Sequence, residues 1–254
     1  MTADPTDPHD QADPHTTADP LDHPGEPQGH RDLGERANKI RAAVLGANDG
    51  IVSVAGLVVG VAGATTTTSA IATAGVAGLV AGALSMGTGE YVSVSSQRDT
   101  EAAAVAQETA ELATDPEGEL AELIGLFEQR GLTHETATDV AKELTAKDAL
   151  AAHSREELNI EPGQYVSPWA AAVSSLFSFT IGAALPLAAI LIFDASWRIM
   201  ATFVAVLLAL TGTGYLSAKL ASAPIGTAIA RNVAGGALAM AVTFGVGALL
   251  GTRI

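Results

Sequence analysis

"LGANDGIVSVAGLVVG", residues 45–60, is apolar except for Asn48, Asp49 and Ser53. It lies inside a longer run, residues 42–64, in which Asp49 is the sole charge. About 20 mostly apolar residues suffice to cross the hydrocarbon core of a bilayer as a helix. An ionised carboxylate in such a helix costs at least ~2.5–3.5 kcal/mol. Acids retained at that cost usually line an ion or proton pathway. The competing reading of Asp49 is a protonated carboxyl hydrogen-bonded between helices.

Four further runs have the same character. Residues 69–94 carry one charge, Glu90, and residues 225–251 carry one, Arg231. Residues 168–193 and 199–217 carry none. The pattern predicts an all-α, polytopic membrane protein with five transmembrane helices. Glycine and alanine recur in every run, and small residues let helices approach closely where lipid supplies no hydrophobic drive between them. Pro186 is expected to kink the third span.

The remaining residues are polar, and the chain divides accordingly. Residues 1–35 form an Asp/Pro/His-rich tail with the composition of a disordered segment. The tail holds His9, His15, His23 and His30, four of the six histidines. It is either a metal-gathering segment or a solvated one without function. Its start, "MTADPTDPHD", lacks the basic and apolar regions of a cleaved signal peptide. Residues 36–94 contain the first two spans, 95–164 an acidic insert, and 165–254 the last three spans. Net charge is −15 and no basic patch exists, which argues against nucleic acid as a partner. The absence of cysteine removes disulfides and thiolate metal sites.

Lysine and arginine in short flanks set orientation. Arg31, Arg36, Lys39 and Arg41 precede the first span, Arg98 follows the second and Lys219 the fourth. The other side has Arg198 and Arg253. The N-terminus and insert are therefore expected in the cytoplasm, and the C-terminus outside.

The insert holds 15 acidic residues from Glu101 to Glu161, against Arg130, Lys142, Lys147 and Arg155. The second span is expected to continue as helix to about Leu112. Asp115 followed by Pro116 marks a new helix start, ending near Gln129 before Gly131. Thr133 can cap a third helix reaching about Leu144, and a short fourth is expected over residues 147–158. Leu120, Leu123, Ile124 and Phe127 form an apolar stripe, so the insert should pack as a small helical domain.

Two constellations are candidate metal sites. Met86 and Glu90 are four apart and share a helix face, with Asp49 on the preceding helix. Two carboxylates and a thioether suit a divalent transition metal. The alternatives are packing for Met86 and a membrane-boundary position for Glu90. In the insert, Glu108 and Glu111 pair with Glu119 and Glu122 across the tight turn at 114–116. Facing carboxylates repel unless a cation neutralises them, although a solvated acidic face is the commoner outcome. His153 lies four residues before Glu157 and can join that cluster. His134, at a helix start, is expected to be exposed.

"GANDGIVSVAGLVVG", "AGALSMGTGEYVSVSSQRDTE", "RGLTHETATDVAKEL" and "SFTIGAALPL" together resemble the vacuolar iron transporter family. The resemblance runs in order from about residue 36 to the end and leaves the tail outside. It implies a homodimer of five-span chains with a cytosolic helical metal-binding domain between spans two and three. It implies export of Fe2+, or in some members Mn2+, from the cytosol with proton antiport, along a pathway lined by the first two spans. A bacterial member would do this across the plasma membrane. By the same resemblance Asp49, Met86 and Glu90 form the intramembrane site. Glu108, Glu111, Glu119, Glu122 and Glu157 form the cytosolic one. No prosthetic group is implied; protons, the lipid bilayer and the metal ion itself are the partners. Where eukaryotic members carry two methionines before the last Glu, this chain has His153 and Ser154. An imidazole there suits iron, zinc and manganese.

Two other classes compete. A di-iron ferroxidase would ordinarily use Glu-x-x-His pairs, and neither His134 nor His153 has Glu three residues before it. A metal sensor on a passive anchor would not need acids within its spans.

Overall fold

The computed structural model describes residues 30–163 and 165–251, with side-chain detail from Ala43 onward. The acidic tail, with its expected disorder, lies outside the described residues. Seven helices follow in order: α1 (His30–Ala64), α2 (Thr68–Thr114), α3 (Pro116–Gln129), α4 (His134–Glu156), α5 (Pro168–Ile192), α6 (Arg198–Leu220) and α7 (Ile225–Gly251). The described residues include no strand. Five segments are long and apolar enough to cross a membrane: Ala43–Ala64 of α1, the first part of α2, and α5, α6 and α7.

Helix α1 is the centre of the bundle and packs against α2, α5, α6 and α7. Two faces of its i, i+4 spacing serve two cores. Val54 and Val58 join Ile71 and Ala83 of α2 and Phe179, Ala183 and Ile190 of α5. Ile51, Ala55 and Val59 join Val206 and Leu210 of α6 and Met240 of α7. Missing side chains make these crossings possible. A Cβ on Gly182 would fall on the Ala47 carbonyl, and one on Gly247 on the Gly60 carbonyl. In lipid such close backbone approach replaces hydrophobic drive as the source of association. The outward side chains, among them Val76, Val80 and Leu84 of α2 and Phe177 and Ile181 of α5, stay apolar and exposed. Helix α5 runs unbroken through Pro186, which is buried.

At 47 residues, α2 is about 70 Å long, more than twice the hydrocarbon thickness. Its second half leaves the spans and becomes one wall of the helical insert. The Asp115 carboxylate accepts from the Gly118 N–H at 2.9 Å, and Pro116 opens α3. Gly131 supplies the positive φ (97°) that ends this hairpin arm. Thr133 accepts from the Thr136 N–H and starts α4. Leu123 and Phe127 of α3 pack on Ala137, Ala141 and Ala152 of α4 to form a separate small core.

The end of the insert holds the two expected helical segments, with shifted bounds. Helix α4 does not stop near Leu144 but runs on to a break at Asp148 (φ −167°, ψ 97°), and helix resumes to Glu156 rather than Leu158. The cause is local: the Asp148 carboxylate accepts from the Ala151 N–H at 3.0 Å and caps the new segment. Tyr91 stacks obliquely on Trp169 at 4.8 Å and Arg98 lies over Tyr165 at 5.8 Å. These contacts hold the start of α5 against α2 where the chain returns to the spans.

Candidate metal sites

The intramembrane site is built from two facing i, i+4 stripes. Asp49, Ser53 and Leu57 lie on α1; Gly78, Gly82, Met86 and Glu90 lie on α2. All seven line one cavity of about 410 Å³, closed at one side by Phe179. The glycines make the room, since a Cβ on Gly82 would overlap the Phe179 ring. A water occupies ~30 Å³ in the liquid, so a cation with several waters fits. The Ser53 hydroxyl donates to Asp49 Oδ1 at 2.9 Å and fixes that carboxylate along the stripe. Asp49 is exposed, whereas Met86 and Glu90 are half-buried. The cavity thus presents two carboxylates and one thioether sulfur to a shared, open space.

The second site lies at the junction of α2, α3 and α4. Helix α2 contributes Glu108, α3 Glu119 and α4 His153, with one ligand atom from each within 4.8 Å of the others. The His153 side chain is fully buried, and Glu108 and Glu119 are 3 % and 13 % exposed. His153 Nδ1 lies 3.1 Å from Glu108 Oε1, 3.5 Å from Glu119 Oε2 and 3.8 Å from Glu157 Oε2. Yet neither His153 nitrogen, nor Glu108 Oε1, makes a hydrogen bond of acceptable geometry. Buried polar atoms are nearly always partnered. A donor set that converges without hydrogen-bonding to itself suits a cation bound by all its members. Imidazole with three carboxylates suits a borderline or hard divalent metal.

Burial alone pushes the Glu108 carboxyl up, and Glu157, Glu119, Glu111 and Glu122 push it further, to about 7. Burial likewise raises Glu119; His153 opposes the shift, and Glu122, Glu111 and Glu157 add to it. A divalent cation would reverse both shifts, so binding near neutral pH releases protons.

The other predicted residues fall at the edge. Glu111 and Glu122 are exposed; Gln107 donates to Glu111 Oε1 at 3.0 Å. Their charges reach Glu108, but their carboxylates face solvent. His134 is exposed and pairs with Glu128 at 2.7 Å, away from the cluster.

Three residues of the spans make polar contacts at or beside Asp49 that the sequence reading did not single out. One is Ser53, which the four-residue spacing from Asp49 could have flagged. The others are Thr213 and Asn232. The Thr213 hydroxyl donates to Asn48 Oδ1 at 3.2 Å, and the Asn232 amide donates to Thr213 Oγ1 at 3.4 Å. This chain of bonds ties α1 to α6 and α7 one residue away from Asp49, through residues that do not line the cavity. Single polar residues in apolar runs gave no spacing signal for it.

Residues 40–248 match the VIT family. The chain belongs to the VIT family. The matched span contains both candidate sites and leaves out the acidic tail. Among VIT relatives, "Vacuolar iron transporter" of Acanthamoeba castellanii is 42 % identical over 221 residues, 87 % of this chain and 82 % of the relative. "Vacuolar iron transporter homolog 1" of Arabidopsis thaliana is 39 % identical, covering 87 % of this chain and 88 % of the relative. "Vacuolar iron transporter homolog 1" of Oryza sativa subsp. japonica is 42 % identical, covering 85 % and 75 %.

Proposed function

We propose that this chain is a multi-pass membrane transporter that exports Fe2+ from the cytosol by proton antiport, with Mn2+ as the second candidate cargo. The relatives are named as iron transporters, and we assign the chain no enzymatic activity. In this reading the insert faces the cytosol, which the Lys/Arg bias of the flanks supports. Glu108, Glu119, His153 and Glu157 collect the metal, with Glu111 and Glu122 supplying the surrounding negative field. Asp49, Glu90 and Met86 then coordinate it within the spans. Protonation of the two carboxylates from the far side releases it. In a bacterial plasma membrane the far side is the cell exterior.

The observation that carries this reading is that one unbroken helix bears both sites. Met86 and Glu90 lie in the span half of α2, and Glu108 in its extension. Met86 and Glu108 are about 33 Å apart along the axis. Such a rod can couple occupancy of the collecting site to the geometry of the cavity. The open side of the cavity and the exposed Val76, Val80 and Leu84 stripe on the same helix support a homodimer with the pathway between chains.

The test is metal uptake into proteoliposomes, with Fe2+, Mn2+, Co2+ and Zn2+ compared across an imposed pH gradient. Saturable Fe2+ uptake that accelerates with the gradient supports the proposal. Uptake that ignores the gradient refutes the antiport, and no uptake of any ion refutes transport.

A further inference from the structure

A guanidinium is buried at the end of the bundle opposite the insert. Arg198 opens α6 and is only 7 % exposed. An arginine at a span end ordinarily snorkels to water along its flexible stem. Here Nη2 crosses to α2 and donates to Thr68 Oγ1 at 3.3 Å. Nε and Nη1 are buried with no hydrogen-bond partner. Among the described residues no carboxylate pairs with them. Asp194, four residues earlier, serves α6 through its backbone carbonyl, which accepts from the Trp197 and Arg198 N–H groups at 2.9 and 2.8 Å.

The surroundings add positive charge rather than remove it. Thr68 is the first residue of α2, and Arg198 the first of α6. Each helix N-terminus carries roughly half a positive charge. Neither first turn contains an acid, and neither Thr67 nor Trp197 caps its helix with a side chain. The buried guanidinium therefore lies beside two helix N-termini of its own sign. A buried charge is tolerated when paired and costly when not. The hydroxyl-bearing side is open, because Thr66, Thr67 and Thr68 are exposed. Trp197, 67 % exposed beside Arg198, has the amphipathic character of residues at headgroup level.

We propose that this end of the bundle binds a phosphate-bearing anion, received by the Arg198 guanidinium and the first turns of α2 and α6. The planar fork and two helix N-termini match a tetrahedral oxyanion. A phospholipid headgroup and free phosphate share that chemistry. The proposal is independent of the transport reading, which uses no residue of this site.

The test uses the full chain, delipidated in an uncharged detergent, beside Arg198→Gln and Thr68→Val. Phosphatidylglycerol retention is counted by native mass spectrometry, and inorganic phosphate is titrated against thermal unfolding. The wild type should bind one of these probes about tenfold or more tightly than Arg198→Gln, since charged hydrogen bonds are lost. Response to phosphatidylglycerol alone identifies the lipid as the source; response to inorganic phosphate identifies a soluble anion. In anion-free buffer Arg198→Gln should be at least as stable as the wild type. If Arg198→Gln fails to fold, Thr68→Val, at an exposed position, should still weaken binding by about threefold. Equal binding of both probes by the wild type and the variants overturns the proposal.

Discussion

Glu108→Gln should stabilise the metal-free protein and abolish its response to metal. Glu108 is 3 % exposed on its side chain, with its carboxyl raised to about 7 by burial and by four neighbouring glutamates. In the unfolded chain the same group titrates near 4.5. The sign follows from linkage: the native state binds the proton more tightly than the unfolded state between these values. The stability owed to that proton is complete below about 4.5 and is lost as pH rises through about 7. The loss above pH 7 is on the order of 3 kcal/mol, at 1.36 kcal/mol per unit. Glutamine keeps the shape and carries no charge, so it escapes this loss. Hydrogen exchange of the α3 amides reads the opening of the insert directly. With chelator present at pH 8, protection in Glu108→Gln should exceed wild type by on the order of 100-fold. At pH 4 the two should agree. Added Fe2+ or Mn2+ should restore protection in the wild type and leave Glu108→Gln unmoved. Parallel pH profiles, or a less protected variant at pH 8, would refute the view that a cation makes this acidic core tolerable.

Further expectations concern single residues. His153→Ala removes the fully buried ring nitrogen nearest three carboxylates; metal affinity measured by calorimetry on the full chain should fall at least as far as the roughly 10–100-fold that losing an outer-shell partner costs. Thr213→Val breaks the Asn48–Thr213–Asn232 chain; it should cost about 1 kcal/mol in the bilayer by steric trapping, and lower flux although no cavity residue changes. Gly247→Leu drives a side chain into the Gly60 backbone and should abolish a monodisperse preparation on size exclusion. Gly245→Ala meets nothing within 4 Å and should behave as wild type.

How much of this was legible in the sequence differs by feature. The spans were readable because lipid allows few charges, and uncharged runs of this length have few other uses. The α2–α3 turn was readable because Asp115 and Pro116 carry local chemistry that works without tertiary context. The break in α4 was legible only as a boundary between two helices near residues 144–147; its place at Asp148 is set by the capture of the Ala151 N–H, one local bond competing against helix. The four clustered glutamates looked equivalent, yet one of each pair is turned inward. Which member turns is set by how α3 and α4 pack on α2, and three-residue spacing cannot state that. His153 and Glu157 were paired by spacing, but spacing could not show that the ring is fully enclosed. Arg198 counted only as a flanking charge; its burial depends on where α2 starts, 130 residues away.

If the cavity between α1 and α2 is the path of the metal, Asp49 is needed for flux of both ions. The most direct test is simultaneous recording of Fe2+ and H+ flux in proteoliposomes of the wild type and Asp49→Ala. Coupled, opposite fluxes are expected in the wild type and loss of both in Asp49→Ala, with metal binding at the Glu108–Glu119–His153 cluster retained. Full proton-coupled Fe2+ flux through Asp49→Ala would contradict this path.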